Sequence, residues 1–140
     1  MVQLATSRYQ ATDLICASGL VPVGITVGRP RWSPTYANGE KPVYIKEAAP
    51  HGLLKLDDEA AFTERYLARL DGIGIEVFQR RFAEISGAHD GRGLVFLCFE
   101  PVGEFCHRHL FADWLQQQID RHVRELAAGL AMPNVGAGRP

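Results

Sequence analysis

The chain has 140 residues, of which 46% are hydrophobic and 22% are charged, and its net charge at pH 7 is −1. This length suits one domain with a hydrophobic core of its own. A nearly neutral chain excludes general electrostatic attraction to nucleic acid or to a membrane, so contact with nucleic acid requires a local basic patch.

The sequence also predicts where the protein resides. No apolar run approaches the roughly 18 residues of a membrane span, and residues 1–5 lack the basic and apolar regions of a signal peptide. A cytoplasmic protein that does not bind membranes is therefore expected. Its three cysteines are expected to be reduced thiols rather than a disulfide framework.

Predicted strands and helices alternate in the first part of the chain. Residues 2–6 predict a strand, and residues 11–18 predict a short helix that ends before a glycine. Residues 20–26 predict a second strand, in which Pro22 indicates a strand start or a sheet edge. Residues 27–56 are rich in glycine and proline and include one short strand, and a connection of this length is usually functional or poorly ordered.

The second part is predicted to contain three helices and one strand. Asp57 or Asp58 caps the first helix, and the glycines that follow Asp71 separate it from the second. The continuous apolar run 94–99 predicts a strand that is buried on both faces. A final helix with an apolar stripe is expected over residues 107–126.

This alternation predicts an α/β fold, a single small three-layer domain with a mostly parallel, Rossmann-like sheet flanked by helices. The domain is expected to span residues 1–128, and residues 129–140 are expected to form a flexible C-terminal tail. Sites in such sheets lie outside the carboxyl ends of the strands, near a switch in strand order. If the first strand and the strand at 94–99 are neighbours, their polar ends converge.

Cys106 is the first candidate for chemistry at these ends. It lies at the predicted start of the last helix, where free N–H groups stabilise negative charge. With His107 and Arg108 beside it, its thiol could act as a nucleophilic thiolate. Alternatively, Cys106 is a small buried residue that fixes the loop to the sheet.

Two arginines are candidates for binding an anion. Arg8 follows the first strand between Ser7 and Tyr9, and it could clamp a phosphate or carboxylate together with Arg108. The start of the last helix would add backbone donors. The alternative is a structural salt bridge, in which Arg8 or Arg108 pairs with Glu100.

Glu100 and His107 have two interpretations each. Glu100 could be a general acid or base, or it could hold Arg108 in place. His107 could be a base with a pKa near neutrality, or a capping residue that donates to a carbonyl group. The candidate catalytic residues are thus Cys106, Glu100 and His107.

A basic and aromatic patch lies in the long irregular segment. Arg29, Arg31, Trp32 and Tyr36 form this patch, a mixture that can stack bases and hold phosphates. Alternatively, Trp32 only pins the loop over the core. The candidate binding residues are Ser7, Arg8, Tyr9, Arg29, Arg31 and Arg108.

Zinc is a weaker alternative. Suitable ligand atoms occur in Cys98, Cys106, His107 and His109. However, the sequence lacks the usual pair of cysteines with two residues between them, and Cys98 lies within an apolar run. No metal is therefore predicted, and no cofactor can be named.

The chain resembles the family catalogued as domain of unknown function 488. The resemblance spans roughly residues 4–120, and its most distinctive part is the segment in which Cys98, Phe99 and Glu100 precede Cys106-His107-Arg108. The remaining motifs are Ser7-Arg8-Tyr9, Leu20 to Ile25 and Pro30-Arg31-Trp32. The resemblance implies a small α/β domain and no settled activity. Members of the family often have an arginine just before the glycine after the second strand, where this chain has Val27.

Two functional hypotheses follow from the sequence. The first is an enzyme that acts on a phosphate-bearing substrate, a nucleotide or a nucleic acid, at an Arg/Cys anion site. The second is a non-catalytic module that binds a nucleotide, a nucleic acid or a protein, with Cys106 in a structural role. The sequence does not specify an oligomeric state.

Overall fold

A sheet of five parallel strands forms the centre of the protein. The structure, a computed structural model, describes residues 2–100 and 104–126. Within these residues the elements are β1 Leu4–Arg8, α1 Thr12–Ser18, β2 Val21–Gly24, β3 Val43–Tyr44, α2 Glu59–Ile73, α3 Ile75–Ala88, β4 Leu94–Cys98, α4 His107–Ile119 and β5 Arg124–Glu125. None of the helices described combines the length and the apolar character needed to cross a bilayer.

The strand order is β3-β2-β4-β1-β5. β4 lies between β1 and β2, and it pairs with β1 from Leu4 opposite Leu94 to Arg8 opposite Cys98. The prediction of a small α/β domain with a Rossmann-like sheet is confirmed. The expectation that β1 and β4 are neighbours is also confirmed, so their carboxyl ends meet.

Helices cover both faces of the sheet. Alternate residues of each strand point to opposite faces, so Leu94 and Phe96 of β4 pack with the larger core cluster, which includes residues of α2, α3 and α4. Val95 and Leu97 pack with the smaller cluster, to which α1 contributes Ile15. We call these the α4 face and the α1 face.

The two faces define a switch point between β1 and β4. The connection that leaves β1 passes through α1 on one face toward β2, whereas the connection that leaves β4 passes through α4 on the other face toward β5. Connections that diverge in this way open a crevice at the carboxyl ends of the two strands. Ligand sites of open α/β sheets lie in such crevices.

The sequence located most elements. Asp58 caps α2, since its carboxylate accepts from the Ala60 N–H at 3.1 Å, and Gly19 ends α1 in the left-handed conformation. Pro22 lies at the start of β2 rather than on a sheet edge. Its missing N–H removes no hydrogen bond between strands, because β3 pairs with β2 only from Val23 onward.

The prediction of a last helix that reaches residue 126 is wrong. α4 ends at Ile119, because Asp120 adopts the left-handed conformation with φ 50° and ψ 49°. The chain then returns to the sheet, and β5 pairs with β1. The predicted tail, 129–140, lies outside the described residues.

Replacing Gly24 with alanine tests the close packing at the carboxyl end of β2. A Cβ atom there would lie less than 3.0 Å from ring atoms of Tyr44 and from the hydroxyl group of Tyr9. We expect Gly24→Ala to destabilise the protein by about 1–3 kcal/mol in urea unfolding, the usual cost of overpacking. Gly28→Ala is the control, because no atom of the described residues lies within 4 Å of its added Cβ. Equal stability of the two variants would contradict the packing described.

Candidate functional site

Cys98 and Cys106 lie at the switch point on the α4 face. Cys98 is the last residue of β4 and Cys106 is the N-cap residue of α4. A disulfide bond joins them, and both are buried, with 0% and 3% of their surface exposed. The prediction that all three cysteines are free thiols is therefore wrong for this pair, whereas Cys16 is free and exposed. In this bonded form Cys106 has no thiolate to act as a nucleophile.

Arg108 is completely buried beside the two cysteines. Its Nε donates to both carboxylate oxygens of Glu125 at 3.1 and 3.3 Å, and its Nη2 donates to Glu125 Oε2 at 2.9 Å. Its Nη1 donates to the carbonyl oxygen of Glu100 at 2.7 Å and to Cys98 Sγ at 3.2 Å. Each of the three nitrogens thus has an acceptor within the protein, and the guanidinium group links β4, α4 and β5.

This ion pair differs from the structural salt bridge considered from the sequence. The carboxylate that pairs with Arg108 belongs to Glu125, and Glu100 contributes its backbone carbonyl instead. Glu125 also accepts from the hydroxyl group of Thr6 on β1. A buried charge is tolerated only when it is paired and hydrogen-bonded, and this network meets both conditions.

His107 is held in a fixed orientation on the same face. Its Nε2 lies 2.6 Å from the carbonyl oxygen of Ile25, just beyond β2, and its ring packs edge-on against Tyr66 with centroids 5.6 Å apart. Burial lowers the pKa of His107 to about 4. The ring is therefore neutral at pH 7. Of the two roles predicted for it, donation to a carbonyl group is the one that the geometry contains.

Cys98, Cys106 and His107 form a cluster of metal-ligand atoms. The two sulfur atoms and a ring nitrogen of His107 lie within 4.8 Å of one another, and all three residues are buried. The irregular spacing of these residues in the sequence predicts no metal site. Folding nevertheless brings them together, because the end of β4 lies beside the start of α4.

Tyr9 lies on the opposite, α1 face, where it is fully buried. Its hydroxyl group shares a hydrogen bond of 2.7 Å with Thr26 Oγ1, and its ring packs against Phe99 with centroids 5.0 Å apart. The hydroxyl group of Tyr36 donates to the backbone oxygen of Tyr9 at 3.0 Å. Burial raises the pKa of Tyr9 above its ordinary value, so its hydroxyl group is protonated at pH 7.

An exposed surface covers this buried tyrosine. Trp32 is 52% exposed and meets Phe99 edge-on, with centroids 6.4 Å apart. The guanidinium carbon of Arg29 lies 4.3 Å from the ring centroid of Tyr44, a cation–π contact. We call the set of Arg29, Arg31, Trp32, Tyr44 and Phe99 the aromatic–arginine surface.

The remaining predicted residues divide between structural and exposed positions. Ser7 is buried and its hydroxyl group donates to the backbone oxygen of Leu126 at 3.0 Å. Arg8 is half-buried and donates to Gln10 Oε1 at 3.2 Å. Arg31 is exposed, and Glu100 is half-buried. Cys106, His107 and Arg108 thus lie together on the α4 face, whereas Tyr9 lies on the α1 face.

Sequence reasoning missed Glu125 and Tyr44. Glu125 belongs to a strand of two residues, which is too short to show a period of alternation. Tyr44 lies in the short β3, and nothing in the sequence connects it with Arg29 fifteen residues earlier. A glycine at position 24 is the only related signal, because it leaves room for the ring of Tyr44.

Comparison with protein-family models, curated proteins and solved structures finds no match to this chain. The resemblance to the domain of unknown function 488 family stays a prediction that rests on the motifs.

The buried ion pair gives a test of the α4-face network. Glu125→Gln leaves the buried guanidinium group of Arg108 without its counter-charge, and we expect a loss of about 3–5 kcal/mol in the free energy of unfolding. Chemical denaturation followed by circular dichroism measures the loss.

Glu84→Gln is the matched control, because Glu84 pairs with Arg81 at 3.2 Å on the exposed side of α3. Exposed pairs contribute about 0–1 kcal/mol. The double variant Arg108→Met/Glu125→Leu removes both charges and should recover much of the loss. A Glu125→Gln protein as stable as Glu84→Gln would contradict a structural role for the pair.

Proposed function

We propose that the protein binds a phosphate-bearing ligand with an aromatic base, a nucleotide or single-stranded nucleic acid, on the aromatic–arginine surface. The observation that carries the proposal is the half-exposed Trp32, which stands at the switch point with Arg29 and Arg31 in the same loop. Large exposed aromatic side chains grouped with arginines are typical of binding surfaces.

The charges on this surface are available to a ligand. The ion pairs found within the described residues involve Arg81, His89, Arg92 and Arg108, and they do not include Arg8, Arg29 or Arg31. An arginine without a carboxylate can offer its planar fork to a phosphate group. Because the whole chain is nearly neutral, such a site would attract anions only locally.

The aromatic groups on this surface are supported from below. Phe99 lies between Trp32 and the buried Tyr9, so the exposed indole rests on a fixed framework. A ring that is already held in place loses little conformational entropy when a base stacks on it. Stacking on an aromatic side chain contributes about 1–3 kcal/mol per base.

The proposal concerns binding rather than catalysis. Arg108 donates to protein acceptors from all three nitrogens, and Cys106 is bonded to Cys98, which supports the alternative in which Cys106 is structural. An enzyme that uses Cys106 would require the reduced form, since the thiolate is the nucleophile. A cytoplasmic location, where thiols are kept reduced, remains a prediction.

Trp32→Ala tests the binding surface directly. We expect wild-type protein to bind nucleotides or short single-stranded oligonucleotides in isothermal titration calorimetry, and Trp32→Ala to weaken binding about 5- to 150-fold through the lost stacking. Arg29→Ala should weaken oligonucleotide binding. It should also reduce the slope of log K against log salt concentration by about 1, the value for one phosphate contact.

Arg80→Ala is the control, because Arg80 is exposed on α3, which packs on the α4 face of the sheet. It should bind as the wild type does. Inorganic phosphate, mononucleotides and oligonucleotides are titrated side by side to define the ligand class. The proposal fails if the wild type binds none of them, or if Trp32→Ala binds as tightly as the wild type.

A further inference from the structure

We propose that Cys98, Cys106 and His107 form a binding site for a divalent transition-metal ion of the zinc type. The site lies on the α4 face, separate from the aromatic–arginine surface, and the inference does not rest on the proposed ligand. In the bound form the two cysteines are thiolates, and the disulfide is the oxidised, metal-free form of the same site.

The spacing of the backbone suits an ion between the two sulfur atoms. The Cα atoms of Cys98 and Cys106 lie 7.4 Å apart, whereas cysteines joined by a disulfide usually lie about 4.4–6.8 Å apart. Zinc–sulfur bonds of about 2.3 Å place two ligand atoms about 3.8 Å apart in a tetrahedron. The wide Cα separation therefore favours two thiolates on either side of an ion over a direct bond between the sulfur atoms.

His107 has the hydrogen bond that is typical of a metal-ligating histidine. A carbonyl oxygen only accepts, so Nε2 of His107 carries the proton that it donates to Ile25. Nδ1 is then the ring nitrogen with a free lone pair, and a ring nitrogen of His107 lies within 4.8 Å of both sulfur atoms. Metal-ligating histidines almost always donate their other ring N–H to a carboxylate, a backbone carbonyl or water, which fixes the tautomer and the ring orientation.

Arg108 and the helix support thiolates at the two sulfur positions. Arg108 Nη1 donates to Cys98 Sγ at 3.2 Å, and a cationic donor favours the ionised sulfur. Cys106 occupies the N-cap position of α4, a helix of 13 residues whose free N–H groups favour negative charge. Both effects would lower the free energy of the form that binds metal.

The charges of the buried cluster balance when a divalent ion is present. Two thiolates carry two negative charges, and the Arg108–Glu125 pair adds no net charge. A divalent cation makes the cluster neutral, whereas two unpaired buried thiolates would leave a strongly unfavourable net charge of minus two. Two sulfur atoms and one imidazole are donors that suit zinc, and a tetrahedral ion keeps a fourth position for water or another ligand.

Cobalt(II) titration of the full-length protein tests the site. A phosphine reductant supplies the two electrons that convert the disulfide to two thiols, which release their protons when metal binds. We expect one cobalt ion per chain, a thiolate-to-cobalt charge-transfer band and tetrahedral visible bands, all of which disappear when zinc is added. Failure of the reduced wild type to bind cobalt in this way would overturn the proposal.

Variants assign the ligands. Cys106→Ser should weaken the charge-transfer band, because only the Cys98 thiolate remains, and should lose at least about 100-fold in affinity. His107→Gln keeps both thiols and should lose affinity with the band retained. Cys16→Ser is the control, because Cys16 is the exposed free cysteine, and it should bind as the wild type does. An unchanged spectrum in Cys106→Ser, or loss of binding in Cys16→Ser, would place the metal elsewhere and contradict the proposal.

Discussion

The parallel pairing of β1 with β4 is the constraint on which the rest of the structure depends. It extends over the whole of both strands and ends with Arg8 opposite Cys98. Because the connections from these two strands leave toward opposite faces, the pairing sets the position at which open α/β sheets bind ligands, and it divides the residues beside it between two faces. A disulfide, an imidazole and a guanidinium group lie on the α4 face, and aromatic rings and exposed arginines lie on the α1 face. The carboxyl ends of β1 and β4 thus have two chemically distinct environments, one on each face of the sheet.

The α4 face is polar but closed. Arg108 is fully buried, and its contacts reach Cys98, Glu100 and Glu125. A buried ion pair contributes little net stability compared with apolar residues, but it is very sensitive to the loss of either member. Its effect here is to fix the start of α4 against β4 and β5, which in turn fixes Cys106 and His107. The α1 face is more open, since Trp32 and both loop arginines face solvent.

The fold was largely predictable because its signals are local and agree with one another. The apolar run of β4, the cap at Asp58 and the glycine after α1 each specify an element without reference to distant residues.

The turn after α4 and the strand β5 were not predictable in this way. Asp120 tolerates the left-handed conformation, but nothing in its neighbourhood requires it, and β5 exists only because β1 offers a free edge. Since Glu125 belongs to β5, the true partner of Arg108 was hidden with it. The sequence likewise predicted that polar residues follow β1 and β4. It could not predict which face of the sheet each residue occupies, because side chains alternate between the faces and a shift of one residue in the strand reverses them.

We propose that a ligand binds on the α1 face while the α4 face stays closed. The most direct measurement is a titration of ¹⁵N-labelled protein with the tightest-binding nucleotide, followed through backbone amide chemical shifts. We expect shifts in Arg29, Arg31, Trp32, Tyr44 and Phe99, with the amides of α4 unchanged. Shifts that centre on Cys106, His107 and Arg108, with none in Arg29, Arg31 or Trp32, would contradict binding on the α1 face and would return the anion site to the start of α4.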